Sequence, residues 1–179
     1  MTSRPPLRRL WLPLALALFL APSFAGRASA DVLPRLEADS MGGTHVVLPH
    51  DAGGKPFVLL LAFTKESKND LRSWSRKLLD DKIDANAEIY VVVVADKTMF
   101  VSRRHVRDMV EGAAVGTQAQ INSNVLLTFD GTGWRDLVPP GDKKTAGVVV
   151  CDSNGSIVYA KREPFTNGNL ADVEKAVKS

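Results

Sequence analysis

Two uninterrupted apolar runs, residues 57–63 and 89–95, constrain this chain more than any other feature. A strand with one wet face alternates between apolar and polar residues. A run that is apolar at every position is buried on both faces, the signature of central strands in a covered, largely parallel sheet. Between the runs, Leu71, Trp74, Leu78 and Leu79 recur at helical spacing and form one apolar stripe. The two strands are therefore predicted to lie parallel, joined by a helical crossover. Ser67, with Asp70 three residues on, reads as a capping-box-like start to that helix.

The remaining elements follow from punctuation. Residues 44–48 read as a short first strand, closed by Pro49-His50-Asp51 and the Gly53-Gly54 turn. Ser102 opens a candidate helix with Val106, Met109 and Val110 inward, ending near Gly112, and residues 124–129 form a short strand. A helical turn over 134–137 is stopped by Pro139-Pro140-Gly141. Residues 145–151 and 157–162 flank Asp152-Ser153-Asn154-Gly155, a tight-turn sequence, and read as an antiparallel hairpin. Asn169 is expected to cap a last helix with Leu170, Val173 and Val177 on one face. This order predicts an α/β fold with a mixed sheet and helices on both faces.

Residues 1–30 read as a signal peptide. Arg4, Arg8 and Arg9 give a positive start, and residues 11–25 are apolar but for prolines and one serine. Ala28-Ser29-Ala30 supplies the small-x-small pattern a signal peptidase accepts, with Asp31 first in the mature chain; a second cut is available after Ala25. The run is short for a membrane span and is interrupted by Pro13 and Pro22, so membrane association is expected only if the leader stays on. The expected location is periplasmic or secreted. Residues 31–43 read as a loose lead-in and residues 44–179 as one domain. Four of the 23 Lys+Arg and none of the 20 Asp+Glu lie in the leader, which leaves 19 basic against 20 acidic residues. The basic balance of the whole chain therefore argues for no nucleic-acid partner.

One cysteine, Cys151, excludes an internal disulfide and any multi-cysteine metal site. It ends an apolar strand before Asp152, with no Lys, Arg or His beside it in sequence to lower its pKa, and reads as a core residue. Trp74 and Trp134 read as packing residues, and His45 and His50 as loop or surface histidines rather than a metal pair. The basic cluster Arg103, Arg104, His105 and Arg107 has two readings, an anion site at the start of its helix or a solvated face.

The chain resembles the thioredoxin-like superfamily over roughly residues 54–177. The resemblance rests on the buried strand running into a helix over 57–79 and on the hairpin over 147–161. There Val148-Val149-Val150-Cys151-Asp152-Ser153-Asn154-Gly155-Ser156-Ile157-Val158-Tyr159 is similar to the superfamily's apolar–Asp–x–x–Gly–x–Ile–apolar–Tyr pattern. Pro164-Phe165 before a capped helix also fits. The fold implied is a thioredoxin-like three-layer α/β/α sandwich with a mixed central sheet.

The superfamily's chemistry sits where the first long strand meets its helix, where backbone N–H groups and the helix dipole stabilise a thiolate. Here that junction is Thr64-Lys65-Glu66-Ser67-Lys68-Asn69-Asp70. Aligned with Cys-x-x-Cys, the two positions fall at Ser67 and Asp70; aligned with the peroxiredoxin Thr-x-x-Cys, Thr64 matches and Ser67 replaces the cysteine. The thioredoxin-type proline aligns with Ala146 or Thr145, and the peroxiredoxin arginine near the same place is missing. No catalytic residue is carried over. Ser67 has no general base beside it in sequence and reads as a helix cap.

The resemblance thus implies a redox-inactive binding, accessory or assembly module, with no cofactor and no metal. Its unknown protein or small-ligand partner would be met by a groove of Thr64, Ser67, Asp70, Thr145 and Ala146. The competing reading is a thiol-disulfide oxidoreductase or peroxidase relying on Cys151. An exposed thiol of low pKa favours that reading, and a buried one favours the binding module.

Overall fold

The computed structural model describes residues 31–95 and 116–179. The leader expected over 1–30, the helix expected from Ser102 and the basic cluster around Arg104 lie outside the described residues.

The first long apolar run is β3 (Phe57–Ala62), buried at every position, and the second is β4 (Glu88–Val94). They pair in parallel from Phe57↔Glu88 to Ala62↔Val93, joined by α1 (Lys68–Asp80). The α1 stripe buries Leu71, Trp74 and Leu78 as its spacing predicts. On the other side of β3, β6 (Gly147–Cys151) runs antiparallel and forms the expected hairpin with β7 (Ile157–Lys161). Asp152 closes that hairpin, its Oδ1 accepting from the N–H groups of Asn154 and Ser156, both at 2.8 Å.

β5 (Val125–Thr128) lies parallel to β4. Beyond it come β1 (Leu36–Ser40) and β2 (His45–Leu48), which complete a seven-stranded mixed sheet in the order β2-β1-β5-β4-β3-β6-β7. The strand β1 corrects the reading of residues 31–43 as a loose lead-in. Leu36, Ala38 and Ser40 point inward while Glu37 and Asp39 stay exposed, the alternation of a half-buried strand, and β1 pairs with both β2 and β5.

Two apolar layers follow from the period-two alternation of the central strands. Val58, Leu60 and Ala62 face a layer with Leu71, Trp74 and Leu78 of α1 and Leu170, Val173 and Val177 of α3 (Asn167–Val177). Phe57, Leu59 and Leu61 face the other, with Leu33, Leu36, Leu48, Ala52, Trp134, Leu137 and Cys151. A short helix α2 (Gln118–Asn124), in a stretch with no sequence expectation, precedes β5 and packs Ile121 on the first layer. A capping box starts it: the Thr117 hydroxyl accepts from the Gln120 N–H, and Gln120 Oε1 accepts from the Thr117 N–H.

Two caps differ from expectation. Thr166, not Asn169, caps α3; its hydroxyl accepts from the Asn169 N–H at 3.1 Å, so Asn169 lies inside the first turn. At α1, Ser67 is the cap position but makes no side-chain cap bond. It ends a 3-10 turn over Lys65–Ser67 and has helical backbone angles, so its hydroxyl points back and donates to the Thr64 carbonyl at 2.8 Å.

Candidate functional site

The strand–helix junction and the segment entering β6 come together at one end of the sheet, because Leu61 near the end of β3 pairs with Gly147 at the start of β6. Thr64, Ser67, Asp70, Thr145 and Ala146 are all at this end. The Thr64 hydroxyl donates to the Lys143 carbonyl. Ser67, Thr145 and Ala146 are buried. Asp70, in the first turn of α1, is half-buried and joins three segments: its Oδ2 accepts from the Ala146 N–H at 2.9 Å and its Oδ1 from the Phe165 N–H at 2.7 Å. The Phe165 ring meets the Trp74 indole edge-on at 5.1 Å. One residue is thus held by its amide on Asp70 and by its ring one turn further along α1.

This arrangement has a chemical consequence. In a Cys-x-x-Cys site the second position carries a thiol; here it carries a carboxylate whose two oxygens are both engaged by backbone N–H groups. The Ser67 proton is committed to a carbonyl. Replacing Ser67 by alanine is expected to lower stability by about 0.5–2 kcal/mol, through loss of one buried hydrogen bond and not of a cap. Urea unfolding measures it, and a change larger than Asp70→Ala causes would contradict this hierarchy.

No general base approaches Ser67 from the described histidines. His45 begins β2 at the far edge of the sheet, 3.0 Å from Asp39, and His50 follows β2, 2.7 Å from Asp51. The hydrogen bond to Asp39, opposed by solvent loss and reinforced by Glu37, raises the His45 pKa. Among the described residues no group of three or more His, Cys, Asp or Glu side chains is placed to hold a metal ion.

Cys151 is at the opposite end of β6 from this junction. It pairs with Phe57, whereas Gly147 pairs with Leu61, a separation of about 13 Å along the strand. The thiol is fully buried, and burial, with the Asp152 carboxylate adding to it, pushes its pKa up to about 12.

Sequence reasoning missed Phe63, Arg135 and Arg162, which gather beside the junction. The Phe63 ring has the Arg162 guanidinium carbon 4.6 Å and the Arg135 guanidinium carbon 5.6 Å from its centroid. No sequence pattern joins residues so far apart; the only local hint is Pro139-Pro140, which sets one wall of the cleft beside them.

No protein-family model and no curated protein sequence matches this chain. Solved structures do. The thioredoxin domain of a thiol-disulfide oxidoreductase from Bacteroides vulgatus is similar at a TM-score of 0.59 and 18% identity, over 84% of this chain and 98% of that one. BsSco, a member of the Sco family of cytochrome c oxidase assembly proteins, gives 0.58 at 11% identity, over 83% and 95%. The peroxidoxin BcpB of Mycobacterium tuberculosis gives 0.56 at 15% identity, over 83% and 95%. The chain has the thioredoxin-like α/β fold. Its single cysteine stands on β6, away from the strand–helix junction.

Proposed function

We propose that this protein is an exported, redox-inactive thioredoxin-like module that binds a protein or small ligand in an accessory or assembly role. The observation that carries this reading is Asp70, whose carboxylate ties the N–H groups of Ala146 and Phe165 together at the position a second redox cysteine would take. Turnover by the thioredoxin route needs an attacking thiolate and usually a second thiol to release the mixed disulfide. Ser67 and Asp70 supply neither, and a buried thiol with a pKa near 12 argues against Cys151 as a substitute. The partner would meet the end of the sheet around Thr64, Asp70 and the segment entering β6. The assembly role of the Sco protein named above lends this reading analogy only. Export rests on the charged start, the apolar run and Ala28-Ser29-Ala30.

The test is functional. Insulin reduction and hydrogen-peroxide turnover are expected to be absent in the wild type and in Cys151→Ser, and the secreted form is expected to begin at Asp31 on N-terminal sequencing. Wild-type activity that disappears in Cys151→Ser would overturn the redox-inactive reading. Recovery of only full-length protein in the membrane fraction would overturn the cleaved leader.

A further inference from the structure

Phe63, the residue that follows β3, shares its ring between two cations that converge from distant parts of the chain. Arg162 follows β7; its Nε donates to the Thr145 carbonyl at 3.3 Å and its Nη2 to the Asp142 carbonyl at 3.0 Å. Arg135 comes from the 3-10 turn over Arg135–Leu137. Among the described residues neither guanidinium forms an ion pair, while each stacks on the same ring.

Both arginines lie directly over glycines, where an added Cβ would force the arginine side chain to shift. A Cβ on Gly141 would come within 2.9 Å of Arg162 Cγ and Cδ, and one on Gly131 within 2.9 Å of Arg135 Nε. Both side chains thus run close over glycine backbone, and Arg162 is also held there by the carbonyls of Thr145 and Asp142. Their proximity has a cost: loss of solvent first, and then the charge of Arg135, lower the Arg162 pKa, with Asp142 opposing. An anion between them would reverse that repulsion. The space they face is an open cleft of about 620 Å³, walled by Pro139 and Pro140, with the Asp136 carboxylate in its lining and that of Asp142 near Arg162.

We propose that this cleft binds a small organic oxyanion, a carboxylate or phosphate ester on an apolar body. The oxyanion sits between Arg135 and Arg162, and the body rests against Pro139 and Pro140. Guanidinium groups present planar pairs of N–H donors that match both oxyanions, and Arg162 keeps N–H groups beyond the two held by carbonyls. The proposal deepens the binding-module reading by naming a ligand class, and it does not depend on export.

Isothermal titration of the full chain with phenyl phosphate and benzoate, with phenol as the neutral control, tests it. Both anions are expected to bind saturably, with phenol at least about tenfold weaker, as loss of charge-assisted hydrogen bonds implies. Arg135→Gln, exposed and outside the core, is expected to keep the wild-type melting curve and to weaken phenyl phosphate about tenfold or more. Gly141→Ala keeps both charges but displaces Arg162, and is expected to weaken binding several-fold. No saturable binding of either anion, equal affinity for phenol, or unchanged affinity in Arg135→Gln would overturn the site. Unchanged affinity in Gly141→Ala would also overturn it, because net charge alone would then explain the attraction. Failure of the anions to bind leaves the redox-inactive reading standing, whereas insulin reduction would sink that reading and leave the cleft.

Discussion

Asp70→Ala is expected to lower the unfolding free energy by about 2–4 kcal/mol, the largest stability effect of any polar residue at this end of the sheet. A hydrogen bond to a charged acceptor contributes about 1.5–3 kcal/mol when partly shielded from water, and Asp70 accepts two, from Ala146 and Phe165. Removing the carboxylate leaves both N–H groups without their partner. Three segments lose their shared tie as a result: the start of α1, the entry to β6 and the approach to α3. Asp70→Asn keeps one accepting oxygen and should lose about half as much. Urea unfolding with an unchanged denaturant slope measures the loss, and faster hydrogen exchange at the Ala146 and Phe165 amides locates it. A loss below about 0.5 kcal/mol in Asp70→Ala would mean that solvent replaces the carboxylate freely, and the bridge would then have no structural weight.

The second large effect concerns Cys151. With the thiol pKa near 12, against 9.0 for an ordinary cysteine, its thiolate population at neutral pH is lower by on the order of a thousandfold. Alkylation of the native protein by iodoacetamide is expected to be slower by at least that factor than in urea, since burial blocks access as well. Labelling of the folded protein at the rate of the unfolded chain would show an exposed, reactive thiol and revive the oxidoreductase reading.

The same shift sets a pH dependence. A folded-state pKa raised above the unfolded value leaves stability unaffected below the unfolded pKa. Stability then falls as pH climbs from about 9 toward about 12, because the unfolded chain releases its proton first. Tyr159, raised by burial and by Asp172 and Glu163 from 10.0 to about 12, adds a loss of the same sign that starts near pH 10. Cys151→Ala should therefore abolish the decline between pH 9 and 10 and leave, above pH 10, a shallower one that belongs to Tyr159. A wild-type melting temperature that stays level from pH 8 to about 11 would contradict both burials.

Much of the architecture was legible in local pattern. The runs around Leu60 and Val92 are apolar at every position because both faces of a central strand are covered, so the sequence alone marks them as central. The α1 stripe and the turn at Asp152 are equally local, one a matter of helical period and the other of a side chain bonding its own backbone. The strand β1 escaped because its alternation, Leu36-Glu37-Ala38-Asp39-Ser40, is short and its outward residues are charged. At Ser67 the residue type favoured a cap, but the preceding 3-10 turn had already rotated the hydroxyl toward the Thr64 carbonyl.

By itself, then, the sequence determined the central strand–helix–strand unit, the hairpin carrying Cys151, and the absence of any thiol from the strand–helix junction. These depend on residue identity and on spacings within a few turns of chain. The tertiary structure alone decided what Asp70 does, because its partners, Ala146 and Phe165, are reached only after the sheet has closed. It also decided that Phe63, Arg135 and Arg162 share one cleft. Side chains separated by so much chain meet only where strand order and loop paths carry them, and no periodicity in the sequence encodes that meeting.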